Sequence, residues 1–157
     1  MVKQINGDIL EFKENMMIHQ VNCKGVMGAG LAKTIKNNYP EVFDDYKDAI
    51  SLYEYNDEKL LGSYTMTALV QDKFIVNLFG QDEYGFGRRY TSYAALIKGL
   101  FAIFKRAKAY NYTIAIPYKL GCCRGGGNWT YVYNLICMLS EEFNVDVTIY
   151  KYGMQKW

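Results

Sequence analysis

The chain of 157 residues holds one histidine, two prolines and four cysteines, and each scarcity closes off a class of protein. The cysteines, Cys23, Cys122, Cys123 and Cys137, form no CxxC pair and the chain has a single histidine, so a zinc site is not expected. Free thiols in a reducing compartment are the expectation that follows. No apolar run approaches the length of a membrane span, and the opening "MVKQINGDILEF" lacks the basic start and long apolar stretch of a secretory signal, so the reading is a cytoplasmic protein without a membrane partner. Net charge is only +2, too small to argue for a nucleic-acid duplex, and no basic, aromatic-lined track stands out in the sequence, so a nucleic-acid partner is not expected. A small anionic ligand is compatible with that charge.

What remains is ordinary globular composition, half apolar and 22% charged, with 14 glycines and 15 tyrosines. The length suits one domain over residues 1–157. Met1 to Ile5 reads as a first strand, and "NGDIL" as a turn and short extended piece carrying Asp8. "NMMIHQVN" is an apolar run of strand length. "GLAKTIKNNYP" keeps helical spacing at Leu31, Ile35 and Tyr39 until Pro40 stops it, and a second helix runs from about Glu41 to Leu52. "GSYTMTALVQ" and "DKFIVNLFG" predict two strands turning near Gln71 to Lys73. Gln81 to Arg89 is aperiodic and reads as a loop. From Tyr90, the positions Tyr93, Leu96, Ile97, Leu100, Phe101 and Phe104 describe a helix of about five turns. "YTIAIPY" is a buried strand, "WTYVYNLICMLSEEF" a helix and "VDVTIYKY" the last strand. Strands alternating with helices predict an α/β fold, a three-layer α/β/α sandwich on a mixed central sheet.

Chemistry concentrates at two strand-to-helix junctions. In "GVMGAGLAK", Gly25, Val26, Met27, Gly28, Ala29 and Gly30 precede a helix start, where side-chain-poor backbone can bring N–H groups and a partial positive charge to an anion. The Walker and dinucleotide spacings are both missing. "GCCRGGGNW" repeats the device with Gly121, Cys122, Cys123, Arg124, Gly125, Gly126 and Gly127. Two such loops on one sheet edge suggest a ligand with more than one phosphate. A tight turn is the alternative reading for either loop alone. Asp8 can accept from an exocyclic amine or cap a helix. Asn22 can hold a ribose hydroxyl. His19 stands three residues earlier, so on a regular strand the two side chains face opposite ways; it is a packed structural histidine or an acid–base group. Asp82, Glu83, Arg88 and Arg89 are loop charges that can meet a phosphate or only solvent.

The run of "GDIL", "HQVNCKGVMGAGLA", "NLFGQDEYG", "RRYTSYAAL" and "IPYKLGCCRGGGNW" resembles a macrodomain, the ADP-ribose-binding module, over essentially the whole chain. Within that family it is most similar to single-domain members that process ADP-ribose 1''-phosphate, and also to hydrolases that remove ADP-ribose from esters. The resemblance implies that Asp8 recognises the adenine amine with the Ile9 backbone N–H beside it. Asn22 would hold the distal ribose, the first loop would wrap that ribose and its phosphate, and the second would cradle the diphosphate. Phe79 and Tyr118 would form pocket walls. It further implies hydrolysis of ADP-ribose 1''-phosphate to ADP-ribose and phosphate without metal or cofactor, with Asn22 and His19 as the catalytic candidates. A non-catalytic reader of ADP-ribose, free or attached to a protein, is the alternative. Gly80 and Gln81 stand where members acting on glutamate-linked ADP-ribose carry a lysine, which disfavours a lysine adduct.

Overall fold

The computed structural model describes residues 1–153. Six strands form one sheet in the order β1-β6-β5-β2-β4-β3: β1 (Val2–Asn6), β2 (Met16–Val21), β3 (Tyr64–Val70), β4 (Lys73–Phe79), β5 (Ile114–Pro117) and β6 (Val147–Lys151). All neighbours are parallel except the β3–β4 hairpin, whose turn falls at Gln71 and Asp72 as the sequence predicts. The helices are α1 (Gly30–Asn38), α2 (Pro40–Leu52), α3 (Asp57–Leu60), α4 (Tyr93–Tyr110) and α5 (Trp129–Phe143).

Strand alternation sorts the core into two layers. Met16 and Ile18 of β2, with Val76 and Leu78 of β4, pack beneath α4 and α5 against Leu100, Phe104, Val132 and Ile136. Met17 and Ile75 face the other way, toward Ile35 of α1 and Val42 of α2; Val21 and Phe79 pack there with Tyr46 and Ile50 of α2. The expected α/β/α sandwich on a mixed sheet is therefore present. Pro40 opens α2 from its first position, where a missing N–H is harmless, while Tyr39 ends α1.

Three local expectations change. "DIL" is not extended: Ile9–Glu11 form a 3-10 turn, because the Asp8 carboxylate accepts the Leu10 N–H and caps it. α4 starts at Tyr93, after Ser92 supplies the cap to Ala95 N–H, and Ile97 and Phe101 lie about half exposed, so its buried face is narrower than the apolar pattern. The four-residue α3 was hidden in "NDEKL", where Asn56 caps it.

β2 and β5 are hydrogen-bonded neighbours only at Met16 with Ile114 and Met17 with Ala115. Beyond those pairs the strands part, and the chain leaves β2 toward one side of the sheet and β5 toward the other. A crevice at the carboxyl ends of diverging parallel strands is where α/β sheets place ligands.

Candidate functional site

That crevice is a cleft of about 340 Å³, bounded by the loop after β2, the segment 81–86 and the loop after β5. Its volume lies within the range of small-molecule sites.

The first loop is held from inside. Tyr46 of α2, fully buried and stacked on Phe79 with centroids 5.6 Å apart, puts its hydroxyl beneath the loop. The oxygen accepts the N–H of Gly25 and of Val26, both at 3.0 Å, and its proton points at Asn22, 2.9 Å from the backbone O and 2.7 Å from Oδ1. Asn22 Oδ1 also accepts from Lys24 N at 2.9 Å, and Nδ2 donates to Val26 O at 2.8 Å. Gly25 takes φ +80° to make this turn, a region that disfavours a side chain. The amides of Lys24, Gly25 and Val26 are thus committed to the protein. The donors left for an anion are further on, where Gly28, Ala29, Gly30 and Leu31 line the cleft and α1 begins at Gly30, after Ala29, which supplies no side-chain cap.

The second loop is glycine-rich for a different reason. A Cβ on Gly125 would sit 2.1 Å from Thr91 Oγ1 and 2.7 Å from the Gly121 carbonyl; one on Gly121 would sit 2.6 Å from Gln20 Oε1, and one on Gly127 2.9 Å from the Gly121 carbonyl. Those glycines make room for protein. Tyr90 and Thr91 donate their N–H groups to Gly125 O, Thr91 Oγ1 donates to Gly121 O, and Gln20 Nε2 donates to Thr91 Oγ1 and Gln81 Oε1. Gln20 Oε1 is buried without a partner among the described residues. The segment 80–92 is thereby sewn to the second loop, and through Cys23 N to Asp82 O, 3.0 Å, to the first.

His19 and Asn22 do not face opposite ways. His19 lies on the β2 face that looks at α2, where Nε2 meets Asn77 Oδ1 at 2.5 Å. The strand ends at Val21 and the chain turns, so alternation no longer governs Asn22, whose carboxamide reaches Tyr46 of the same helix. Asn77 Nδ2 donates to Val42 O and Thr65 Oγ1, which leaves its oxygen to accept, so His19 carries its proton on Nε2. Nδ1 is buried and unpartnered among the described residues. Burial pushes the imidazole pKa down from 6.5 to about 4, partly opposed by the Asn77 hydrogen bond. A neutral ring whose one proton is already given away has none to donate, so the geometry does not support the acid role; what His19 offers is an acceptor at Nδ1.

This is the only histidine in the sequence, so its titration can be read directly. Between pH 6.5 and 4 the unfolded chain takes up a proton that the folded chain refuses, and stability therefore falls with pH through that window, by about 3 kcal/mol at its acid end. The imidazole resonances should titrate near pH 4 by NMR; a midpoint near 6.5 would contradict the buried, Asn77-bound ring.

Asn22, Val26, Met27, Gly28, Ala29, Gly30, Tyr118, Gly121, Cys123, Arg124 and Gly125 all line the cleft. Gly25, Cys122, Gly126 and Gly127 are not among its lining residues. Phe79 is fully buried against Tyr46, so it is core and not a pocket wall. Asp8 is the cap of the 3-10 turn and, with Ile9, lies outside the cleft lining, Ile9 being buried in the core beside Met17. Burial pushes the Cys23 and Cys122 thiols up to about 12, away from nucleophilic use.

Sequence reasoning missed Gln20, which follows His19 in an apolar run, and the part played by the segment after β4. Tyr84, Gly85 and Phe86 form one lip of the cleft, Phe86 being 91% exposed. Beside them Arg88 stacks over Tyr90 at 4.0 Å and Arg89 over Tyr93 at 4.3 Å, and Arg124 stands on the second loop. Aromatic and cationic side chains of one loop thus stand together beside the cleft. Among the described residues no cluster of side chains could hold a metal ion, and no helix is long and apolar enough to cross a membrane.

No protein-family model matches the chain. A DNA ADP-ribosyl glycohydrolase of Mycobacterium tuberculosis is 30% identical over 152 residues, covering 96% of this chain and 42% of that protein; the chain thus spans less than half the length of this relative. An ADP-ribose 1''-phosphate phosphatase of Aspergillus oryzae is 33% identical over 63 residues, covering 40% of this chain and 31% of the phosphatase. Among solved structures, the macrodomain of Mycobacterium tuberculosis DarG superposes with a TM-score of 0.81 at 28% identity, over 96% of this chain and 97% of that one.

Proposed function

The chain is a macrodomain, and on that premise we propose that its cleft binds ADP-ribose and hydrolyses an ADP-ribose derivative, ADP-ribose 1''-phosphate first among them. The observation that carries this reading is the pairing of an uncapped helix start at Ala29 to Leu31 with a second loop bearing Arg124 across one cleft. A diphosphate spanning the two would meet backbone N–H groups and the α1 dipole on one side and a guanidinium on the other.

In the reaction water attacks phosphorus, the bond between phosphorus and the ribose oxygen breaks, the oxygen leaves as the 1''-hydroxyl after taking a proton, and inorganic phosphate departs. Backbone donors aimed at the phosphoryl oxygens stabilise the charge that develops there. Asn22 orients the distal ribose with its one uncommitted Nδ2 hydrogen. On this reading the chain's contribution is positioning and these donors.

The exposed lip residues Tyr84 and Phe86, with Arg89 and the Asp82-paired Arg88 beside them, favour a second reading, release of ADP-ribose from a nucleic-acid acceptor, because exposed aromatics and cations are what single strands stack on and track along. One experiment separates the readings: calorimetric titration with ADP-ribose, then assay of the same preparation for phosphate release from ADP-ribose 1''-phosphate and for ADP-ribose release from a modified oligonucleotide. Micromolar binding with phosphate release is expected. Release from the oligonucleotide alone would move the assignment to the second reading, binding without either would make the chain a reader, and absence of binding would sink the ligand assignment.

A further inference from the structure

We propose that Tyr46 is the positioning residue of this site, a brace in α2 that turns the first loop and aims Asn22, without touching the ligand. The inference rests on the reading of the cleft as an ADP-ribose site and adds a residue to it from outside the two loops.

A phenolic oxygen has one proton to give and two lone pairs to fill, and at Tyr46 all three are used by the loop: two accepted N–H bonds from Gly25 and Val26, and one proton shared between the two oxygens of Asn22. That arrangement decides the orientation of the Asn22 carboxamide. Lys24 N and Tyr46 are donors, so they hold Oδ1; Val26 O is only an acceptor, so it holds Nδ2. One Nδ2 hydrogen is spent on Val26, and the other has no partner among the described residues, on a residue that is 8% exposed and lines the cleft. The same bonds withdraw the Gly25 and Val26 amides from the cleft, which leaves anion contacts to the uncapped start of α1.

Burial of a hydroxyl against Phe43 and Phe79 is poor economy for packing alone, since phenylalanine would fill the same space without desolvating an oxygen. The tyrosine is explained by what its oxygen holds in place.

The test is Tyr46→Phe, which keeps the ring on Phe79 and removes only the oxygen. In the ligand-free protein, hydrogen exchange at the Gly25 and Val26 amides should quicken at least tenfold. The Kd for ADP-ribose should rise about tenfold. Ile50→Val, one turn along α2 and fully buried, loses packing in the same layer and should leave Kd within twofold. In the double variant Tyr46→Phe with Asn22→Ala, affinity should fall by less than the two single losses combined, because part of what Tyr46 does is to aim Asn22. Unchanged exchange overturns the brace. Faster exchange with unchanged Kd overturns its role in the site, as does a rise in Kd that Ile50→Val reproduces. If the parent protein binds no ADP-ribose, the ligand reading has failed, and the exchange measurement still decides whether Tyr46 holds the loop.

Discussion

Gly125→Ala is expected to abolish measurable ADP-ribose binding and to lower stability by about 2–3 kcal/mol, the upper part of the range for overpacking a well-packed site. The added methyl would lie 2.1 Å from Thr91 Oγ1 and 2.7 Å from the Gly121 carbonyl. A side-chain end can rotate away, but the carbonyl belongs to the turn that also accepts the Thr91 hydroxyl and Gly127 N. Relief would move the whole turn. Gly125 O in addition takes the amides of Tyr90 and Thr91, so the lip of the cleft moves with it. Denaturant unfolding and calorimetry on the same variant provide the measurement; wild-type binding would show that the second loop tolerates displacement and does not shape the site. Gly87, whose Cβ would meet nothing within 4 Å, is the control position, although its φ of +91° makes Gly87→Asn a fairer choice than alanine.

Asn22→Asp should weaken ADP-ribose binding by 100-fold or more, about 3 kcal/mol at 1.4 kcal/mol per decade. The change is isosteric, yet it sets a carboxylate oxygen against Val26 O where an N–H now donates over 2.8 Å. Two acceptors at that distance repel, and the one hydrogen available to a ribose hydroxyl is lost together with its neighbour. Asn22→Ala removes the donor without the repulsion, so the aspartate variant should be at least as damaging as the alanine one. Calorimetric Kd values for the pair decide it, and an aspartate variant within fivefold of the parent would remove Asn22 from the binding machinery.

The sequence period revealed the layers because it is set by which side of a strand or helix meets the core. Met16, Ile18 and Met17 show that alternation directly, and Pro40 marked the break between α1 and α2. The period says nothing once a strand ends, which is why His19 and Asn22 were expected on opposite faces and are found on one side. Glycine is ambiguous in a similar way. A sequence cannot tell whether the absent Cβ makes way for a ligand or for protein, and here Gly121 and Gly125 make way for Gln20 and Thr91. Phe79, at the end of an apolar strand, carried no sign that Tyr46 of a distant helix would cover it. Asp8 was legible in both of its senses, and the cap to Leu10 is the one the structure displays.

The parting of β2 from β5 after Met17 and Ala115 gives the sheet a seam. Below it the two halves are zipped by main-chain bonds; above it each half ends in its own loop. A molecule seated across both loops would close the zipper with its own atoms. Its effect on the protein would then be felt as added stiffness across a seam that Gln20, Thr91 and their neighbours already bridge, as well as occupancy of a hollow.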